Sequence, residues 1–297
     1  MAGEIKIAYL IIAHRDPEHL KALVSELTKN ADVFIHINKR SDIKPFIEAF
    51  ASFQNIHRVQ FINKRYRVRW GGFSILKATF ELLENALATE DYDRIILLTG
   101  NDYPLKSSRE LQKFFMENKD VNYLCSHVLN TDNHFALRYY DPYDIRLLHI
   151  FLKVVRMKFP NFILRKNPDY IEYKGMKYFP RGITAKWAVT GDCAKYILEF
   201  YKNNPGFNNI VKYMHAPDDF YVATVIYYSP FQASVCFDKN LFFNKRGLSI
   251  KDKKVLDISN HDMLMQSGAL YAKNFLTGTS DTLIRELQRQ WSNEINE

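Results

Sequence analysis

Three cysteines, Cys125, Cys193 and Cys236, are all that the 297-residue chain contains. They are too few and too scattered for a disulfide framework or a zinc knuckle, and a reducing compartment is the simpler expectation. Long apolar runs are also missing. Ile7 to Ala13 gives way to His14 and Arg15, lacks the flanks of a signal peptide, and falls far short of the roughly 18 residues that span a bilayer. The expected location is therefore cytoplasmic, at most peripheral to the inner face of a membrane. No Gly-x-Gly-x-x-Gly follows the first apolar run, which argues against a dinucleotide site, and there is no Walker loop. No Pro/Gly-rich linker and no repeat divides the chain, so one domain over residues 1–297 is expected.

What is present is an apolar content of 47%, ample for a core, and 41 Lys plus Arg against 33 Asp plus Glu, a net charge of +8. An excess of that sign suits phosphate-bearing ligands, anionic membranes or nucleic acid without choosing among them. The cations are interspersed with acids in most segments and no RNA-binding motif occurs, so a nucleic-acid-binding protein is the weaker alternative. The 18 Tyr and 22 Phe fit an aromatic-rich core, with some left for stacking on sugars or bases.

The chain is organised around Arg94 to Lys106. Ile95 to Leu98 reads as a strand buried on both faces of a parallel sheet, after which Gly100, Asn101 and Asp102 leave the strand, and Ser107 with Glu110 forms a capping box for a helix. Ligands of open α/β sheets sit beyond the carboxyl ends of such strands, which places Asn101 and Asp102 at a candidate site. Upstream, Ile7 to Ala13 is a strand, Asp16 and Pro17 cap a helix, Val33 to Ile37 and Val59 to Ile62 are further strands, and Ser74 to Leu87 is helical. This alternation predicts an α/β fold with a mainly parallel central sheet flanked by helices. Asp91-Tyr92-Asp93 has the form of a metal-holding Asp-x-Asp pair but precedes its strand, so it reads as a loop at the opposite edge.

Further stretches carry candidate chemistry. Lys64 to Trp70 holds four cations and runs into Gly71-Gly72, where an aromatic plane beside backbone without Cβ atoms would admit a flat ring such as uracil. Ile145 to Lys166 has six cations and no acid, with Leu147, Ile150, Phe151 and Val154 at helical spacing, a basic amphipathic segment. Trp187 is either a sugar platform or core. Pro217 with Asp218 and Asp219 reads as a helix start leading into Tyr221 to Tyr228. A short helix is expected over His261 to Leu270 and an amphipathic one over Ser280 to Ile295.

In order and spacing, five stretches resemble the core-2/I-branching family of glycosyltransferases, which includes the peptide O-xylosyltransferases. They are Ile7 to His14, Phe34 to Lys39, Trp70-Gly71-Gly72, Thr99 to Lys106, and Ala216-Pro217-Asp218-Asp219-Phe220. The resemblance implies a GT-A-type fold with a nucleotide-binding half over about 1–125 and an acceptor and catalytic half over about 126–297. It implies inverting transfer of N-acetylglucosamine or xylose from a UDP-sugar donor to a glycan hydroxyl, without a metal or other cofactor. The alternative within the same fold is a non-catalytic sugar-binding protein.

Carried over position by position, the resemblance makes Asp219 the catalytic base, where the family usually has Glu. It assigns donor binding to Asn38 (usually Asp in the family) and Trp70, with Lys254 and Lys273 on the diphosphate; Gly71, beside Trp70, and Asn101 and Asp102, beyond the Ile95 strand, join the expected donor-binding set by position. The acceptor side falls to Lys186 and Trp187, where only the aromatic of the family's Gly-Ser-x-Trp/Tyr motif survives. A basic chain lacking its own anchor is expected to extend a lipid-linked glycan in surface polysaccharide assembly. The basic segment would then touch an anionic membrane, with no nucleic-acid partner.

Overall fold

The computed structural model describes residues 4–124, 142–159, 169–182, 185–236, 239, 241–243 and 255–296. Four parallel strands form one side of the main sheet: β1 (Ile7–Ala13) lies between β2 (Asp32–Ile37) and β4 (Arg94–Thr99), with β3 (Val59–Phe61) outside β2. Beyond β4 one strand is reversed. Strand β9 (Trp187–Thr190) runs antiparallel to β4 and to β6 (Asn122–Leu124), and β10 (Val235–Cys236) closes that edge parallel to β6. The order is therefore β10-β6-β9-β4-β1-β2-β3.

Side chains alternate between two buried layers, as the period of a strand requires. Ile7, Tyr9 and Ile11 of β1, with Ile96 and Leu98 of β4, face a core shared with the helices Pro17–Leu27 and Asp281–Asn296. Ala8 and Leu10, with Ile95 and Leu97, face the core shared with the helices Ser74–Thr89, Gly191–Asn203 and Tyr221–Tyr227. Burial on both faces is why these strands are continuously apolar. Each large side chain so buried contributes about 1.5–3 kcal/mol.

A smaller sheet stands at the carboxyl edge: β12 (Tyr271–Lys273) pairs antiparallel with β5 (Asp102–Pro104) and parallel with β11 (Phe242–Phe243). A hairpin of β7 (Ile171–Tyr173) and β8 (Met176–Tyr178) lies apart. The Asp16 cap and the Ser107–Glu110 capping box form as expected.

Two helices differ from expectation. The one from His261 ends at Gln266, because Gly268 takes φ +64° and the chain turns into β12. Pro217–Asp219 is a separate 3-10 turn, and the helix resumes only at Tyr221.

Candidate active site

The carboxyl ends of β1, β2 and β4 and the amino end of the reversed β9 meet at one edge of the sheet. Asp102, immediately beyond β4, is wholly buried: its Oδ2 accepts from the Thr99 amide at 2.7 Å and from the Thr99 hydroxyl at 3.0 Å. Its other oxygen holds the ammonium of Lys186, the residue before β9. Burial pushes the Lys186 pKa down, the Asp102 carboxylate opposes that, and Lys273 adds a smaller push in the same direction as burial. Asn101 serves the backbone here. Its carbonyl accepts from the amides of Asn274 at 3.0 Å and Phe275 at 3.1 Å, and its side-chain oxygen lies 2.8 Å from the Thr99 hydroxyl.

Lys273 is opposite Asp102 in the β12–β5 register and remains exposed. Its positive charge acts on His14, Lys186, Asp218 and Asp219. The His14 imidazolium is disfavoured chiefly by burial, then by Arg15 and Lys273.

The two carboxylates sit in the 3-10 turn Pro217–Asp219, entered through Ala216 at φ +47° and tied to the Trp70 loop by the Ala216 amide bonding to the Gly71 carbonyl at 2.9 Å. Behind them Gly182, at φ +129°, lies so close that a Cβ there would stand 2.3 Å from the Asp219 carbonyl oxygen. Only glycine lets these segments meet. Burial raises the pKa of both carboxyl groups. Repulsion from Asp219 raises Asp218 further, while Lys273 lowers both and an Ala185 backbone hydrogen bond lowers Asp219. Asp218 Oδ1 is buried with no hydrogen-bond partner among the described residues. With its Oδ1 unpartnered while Asp219 accepts from the Ala185 backbone, Asp218 is the carboxyl that favours the neutral form, leaving Asp219 the readier proton acceptor.

A cleft of about 650 Å³ opens at the Trp70 loop, lined by Arg40, Arg69, Trp70, Tyr143, His149 and Lys153 among others, with no acidic residue among the described lining. Trp70 is 76% exposed, with the edges of His215 and Tyr143 against it at centroid distances of 5.1 and 6.5 Å. Gly71 at φ +77° permits the approach, since a Cβ would lie 3.0 Å from the His215 ring. The Trp70 loop is anchored on β2. Asn38 donates to the Val68 carbonyl at 2.9 Å and accepts from the Val68 and Arg40 amides at 3.2 and 3.0 Å. His36 Nε2 accepts from the Tyr66 amide at 2.8 Å, and burial pushes the His36 pKa down to about 4, so it serves as a neutral acceptor.

Of the residues expected from sequence, the structure brings Asp219, Lys273, Asp102 and Lys186 to one edge of the sheet and puts Trp70 at the cleft, with Gly71 in the loop that ties the cleft to Ala216. Asn38 reaches the cleft through the loop it anchors. Trp187 is corrected: its ring is 2% exposed and packs in the core with Leu97 and Leu124, so no face is open to a sugar. Lys186 and Asp102 are likewise bound to each other, Asp102 with no exposed surface, rather than presented to an acceptor and a donor as expected. Lys254 lies outside the described residues. Asp91 and Asp93 are at the opposite edge, the first paired with Lys195 at 2.9 Å and the second accepting from the Lys6 amide at 2.8 Å.

Sequence reasoning missed Gly182, Asp144 and the aromatic wall of Tyr143, His149 and His215. Asp144 fixes the start of helix Ser74–Thr89 through the Ser74 amide at 2.8 Å and hydroxyl at 2.6 Å. Only Gly182 had a visible signal, a glycine directly after Pro180-Arg181.

Residues 7–246 match the family model described as Core-2/I-Branching enzyme. The chain is 32% identical over 127 residues to xylosyltransferase 2 of Rattus norvegicus, a match covering 41% of this chain and 15% of that protein. It is 26% identical over 132 residues to xylosyltransferase 1 of Homo sapiens, covering 42% and 14%. The chain thus spans about a seventh of the length of the curated relatives it matches. Among solved structures, the galactosyltransferase LgtC in complex with donor and acceptor sugar analogues aligns over 96% of this chain and 95% of that one, with 10% identity and a TM-score of 0.43.

Proposed function

The chain belongs to the Core-2/I-Branching enzyme family, and from that premise we propose that it is an inverting glycosyltransferase that moves a sugar from a UDP donor to a glycan hydroxyl. The observation that carries the reading is that Asp219, a carboxylate whose pKa is raised by burial and lowered by the Lys273 charge, shares the carboxyl edge of the sheet with the exposed Lys273, which stands opposite Asp102 across the β12–β5 register. The sheet order, with one reversed strand between β4 and β6, supports a GT-A-type arrangement.

A sugar hydroxyl is a poor nucleophile until a base takes its proton, and a positioned carboxylate contributes ~10²–10⁴-fold. In the proposed displacement the acceptor oxygen bonds to the anomeric carbon as the bond to UDP breaks. The hydroxyl proton passes to Asp219, and the bonding electron pair leaves on the diphosphate. Lys273 offsets the charge developing there, in the role that metal-dependent transferases give to a divalent ion. Lys186, buried against Asp102, acts by fixing the β4 and β9 ends rather than by touching a phosphate. Trp70, over backbone freed by Gly71, offers the uracil a flat face. Of the two donors expected, xylose is the one carried in the relatives' names.

The test is a panel of UDP-sugars assayed for UDP release with and without glycan acceptors. Acceptor-stimulated release from UDP-xylose or UDP-N-acetylglucosamine, giving an inverted product, is the expected result. Tight UDP binding with no release from any donor would instead support a sugar-binding protein of the same fold.

A further inference from the structure

The helix Arg146–Lys158 is attached to the protein by one face. Leu152 is buried and Leu148 and Val155 are half-buried, at the i, i+4, i+7 spacing of a single stripe. On the adjacent face, about 110° round the helix at ~100° per residue, Leu147, Phe151 and Val154 repeat that spacing, joined by Ile150. Leu147 is 82% exposed and Phe151 60%, uncovered by any described residue. At about 100° per residue these four fall within an arc of roughly 100°. Arg146 and Lys158, both exposed, border the stripe. Residues 145–166 contain no acid. Apolar side chains outward, cations beside them and no negative charge is the pattern of a helix that lies in a membrane interface. The cations choose the surface: an anionic leaflet attracts them and a neutral one does not.

We infer that this helix docks the protein on an anionic membrane, with Leu147, Ile150, Phe151 and Val154 entering the headgroup region and Arg146 and Lys158 meeting lipid phosphates. The same helix supplies His149, Lys153 and Met157 to the cleft that holds Trp70. Docking therefore fixes the cleft mouth beside the bilayer, where a glycan carried on a lipid is presented. The attachment does not depend on the transferase reading. Either can fail alone, because one is read by vesicle binding and the other by UDP release.

The experiment is co-sedimentation of the whole chain with vesicles containing phosphatidylglycerol and with vesicles of phosphatidylcholine alone. Wild type is expected to bind the first, release in high salt, and ignore the second. Leu147→Ser/Phe151→Ser and Arg146→Gln/Lys158→Gln change exposed positions, so both should keep the wild-type melting temperature. The charge variant should lose about thirty-fold in partitioning, since each cation near an anionic leaflet contributes a factor of about five. As a gain-of-signal control, Leu147→Trp should show a blue-shifted added emission on anionic vesicles only. Equal sedimentation of wild type and both double variants, or equal binding to neutral vesicles, would overturn the inference. So would a concentration-dependent dimer abolished by Leu147→Ser/Phe151→Ser, which would assign the stripe to a second copy of the chain.

Discussion

Asn38 grips Val68 by both of its main-chain polar groups, donating to the carbonyl at 2.9 Å and accepting from the amide at 3.2 Å. A carboxylate at this position, the residue expected from the family pattern, could accept but not donate, and would set an anion against the Val68 carbonyl. The amide therefore compensates within this chain: it loses a charge and gains a clasp on the loop that carries Trp70. Asn38→Asp is expected to lower the melting temperature by the equivalent of ~1–3 kcal/mol and to weaken UDP binding. Differential scanning calorimetry and UDP titration check it. Tighter UDP binding with unchanged stability would mean that residue 38 reads the nucleotide directly.

Asp219→Asn removes the proposed base while keeping its shape, so kcat should drop ~10²-fold or more with UDP affinity near wild type. Asp218→Asn should keep most of the turnover near neutral pH, because Asp218 holds its proton to higher pH and an amide resembles that state. A loss as large in Asp218→Asn as in Asp219→Asn would transfer the base to Asp218.

The same pair sets a pH dependence. Both pKa values are raised by burial, so between the ordinary carboxylate pKa and the raised values the folded chain binds more protons than the unfolded one. The pair's contribution to stability is then present at low pH and is lost as pH rises through the raised values. Asp218→Asn should accordingly gain melting temperature relative to wild type at pH 8 compared with pH 5. Turnover runs the other way, falling as acid protonates Asp219. Melting curves and a kcat–pH profile of both proteins check the two signs.

Lys186→Ala would leave the Asp102 carboxylate buried beside a void. Removing one partner of a buried ion pair costs about 3–5 kcal/mol, so a large fall in melting temperature is expected. An acceptor-binding lysine would instead raise the acceptor KM and leave the melt unchanged.

Lys273→Ala, on an exposed residue, should keep the fold and weaken UDP binding by ~1.5–3 kcal/mol, the range of a charge-assisted hydrogen bond. Activity of the wild type is expected to survive EDTA. If turnover vanishes with EDTA and returns with Mn²⁺, the diphosphate charge is not neutralised by protein cations alone.

Much of this could be read in the sequence wherever a local rule operates. Ile95 to Leu98 announced a two-sided strand, Ser107 and Glu110 a helix start, and Asp91 and Asp93 the wrong edge, all from neighbouring residues. Long-range partnerships left no such trace. Lys186 and Asp102 stand 84 positions apart, and nothing in the local pattern distinguishes a lysine that enters the core to meet a carboxylate from one that faces an acceptor. Trp187 belongs with them. An indole at the head of a strand fits a platform or a core equally well, and only the pairing of β9 with β6, which sets Trp187 opposite Leu124, decides which side it faces. The turn at Pro217 looked like the start of a continuous helix because its acids suit one; Ala216 in a left-handed conformation, held by Gly71, is a tertiary effect.

The reversed strand also sets the order in which the chain can assemble. β1, β2 and β4 can pair from the first hundred residues, but Asp102 has no counter-charge until β9 inserts beside β4, and no facing lysine until β12 pairs with β5. Contacts of such sequence separation form slowly, and a carboxylate is costly to bury alone. The β4 edge is therefore expected to stay hydrated until the distant segments arrive, with the groups proposed for chemistry coming together in the last stage of folding. A refolding experiment should recover far-UV ellipticity before UDP binding, with Lys186→Ala widening the interval between the two.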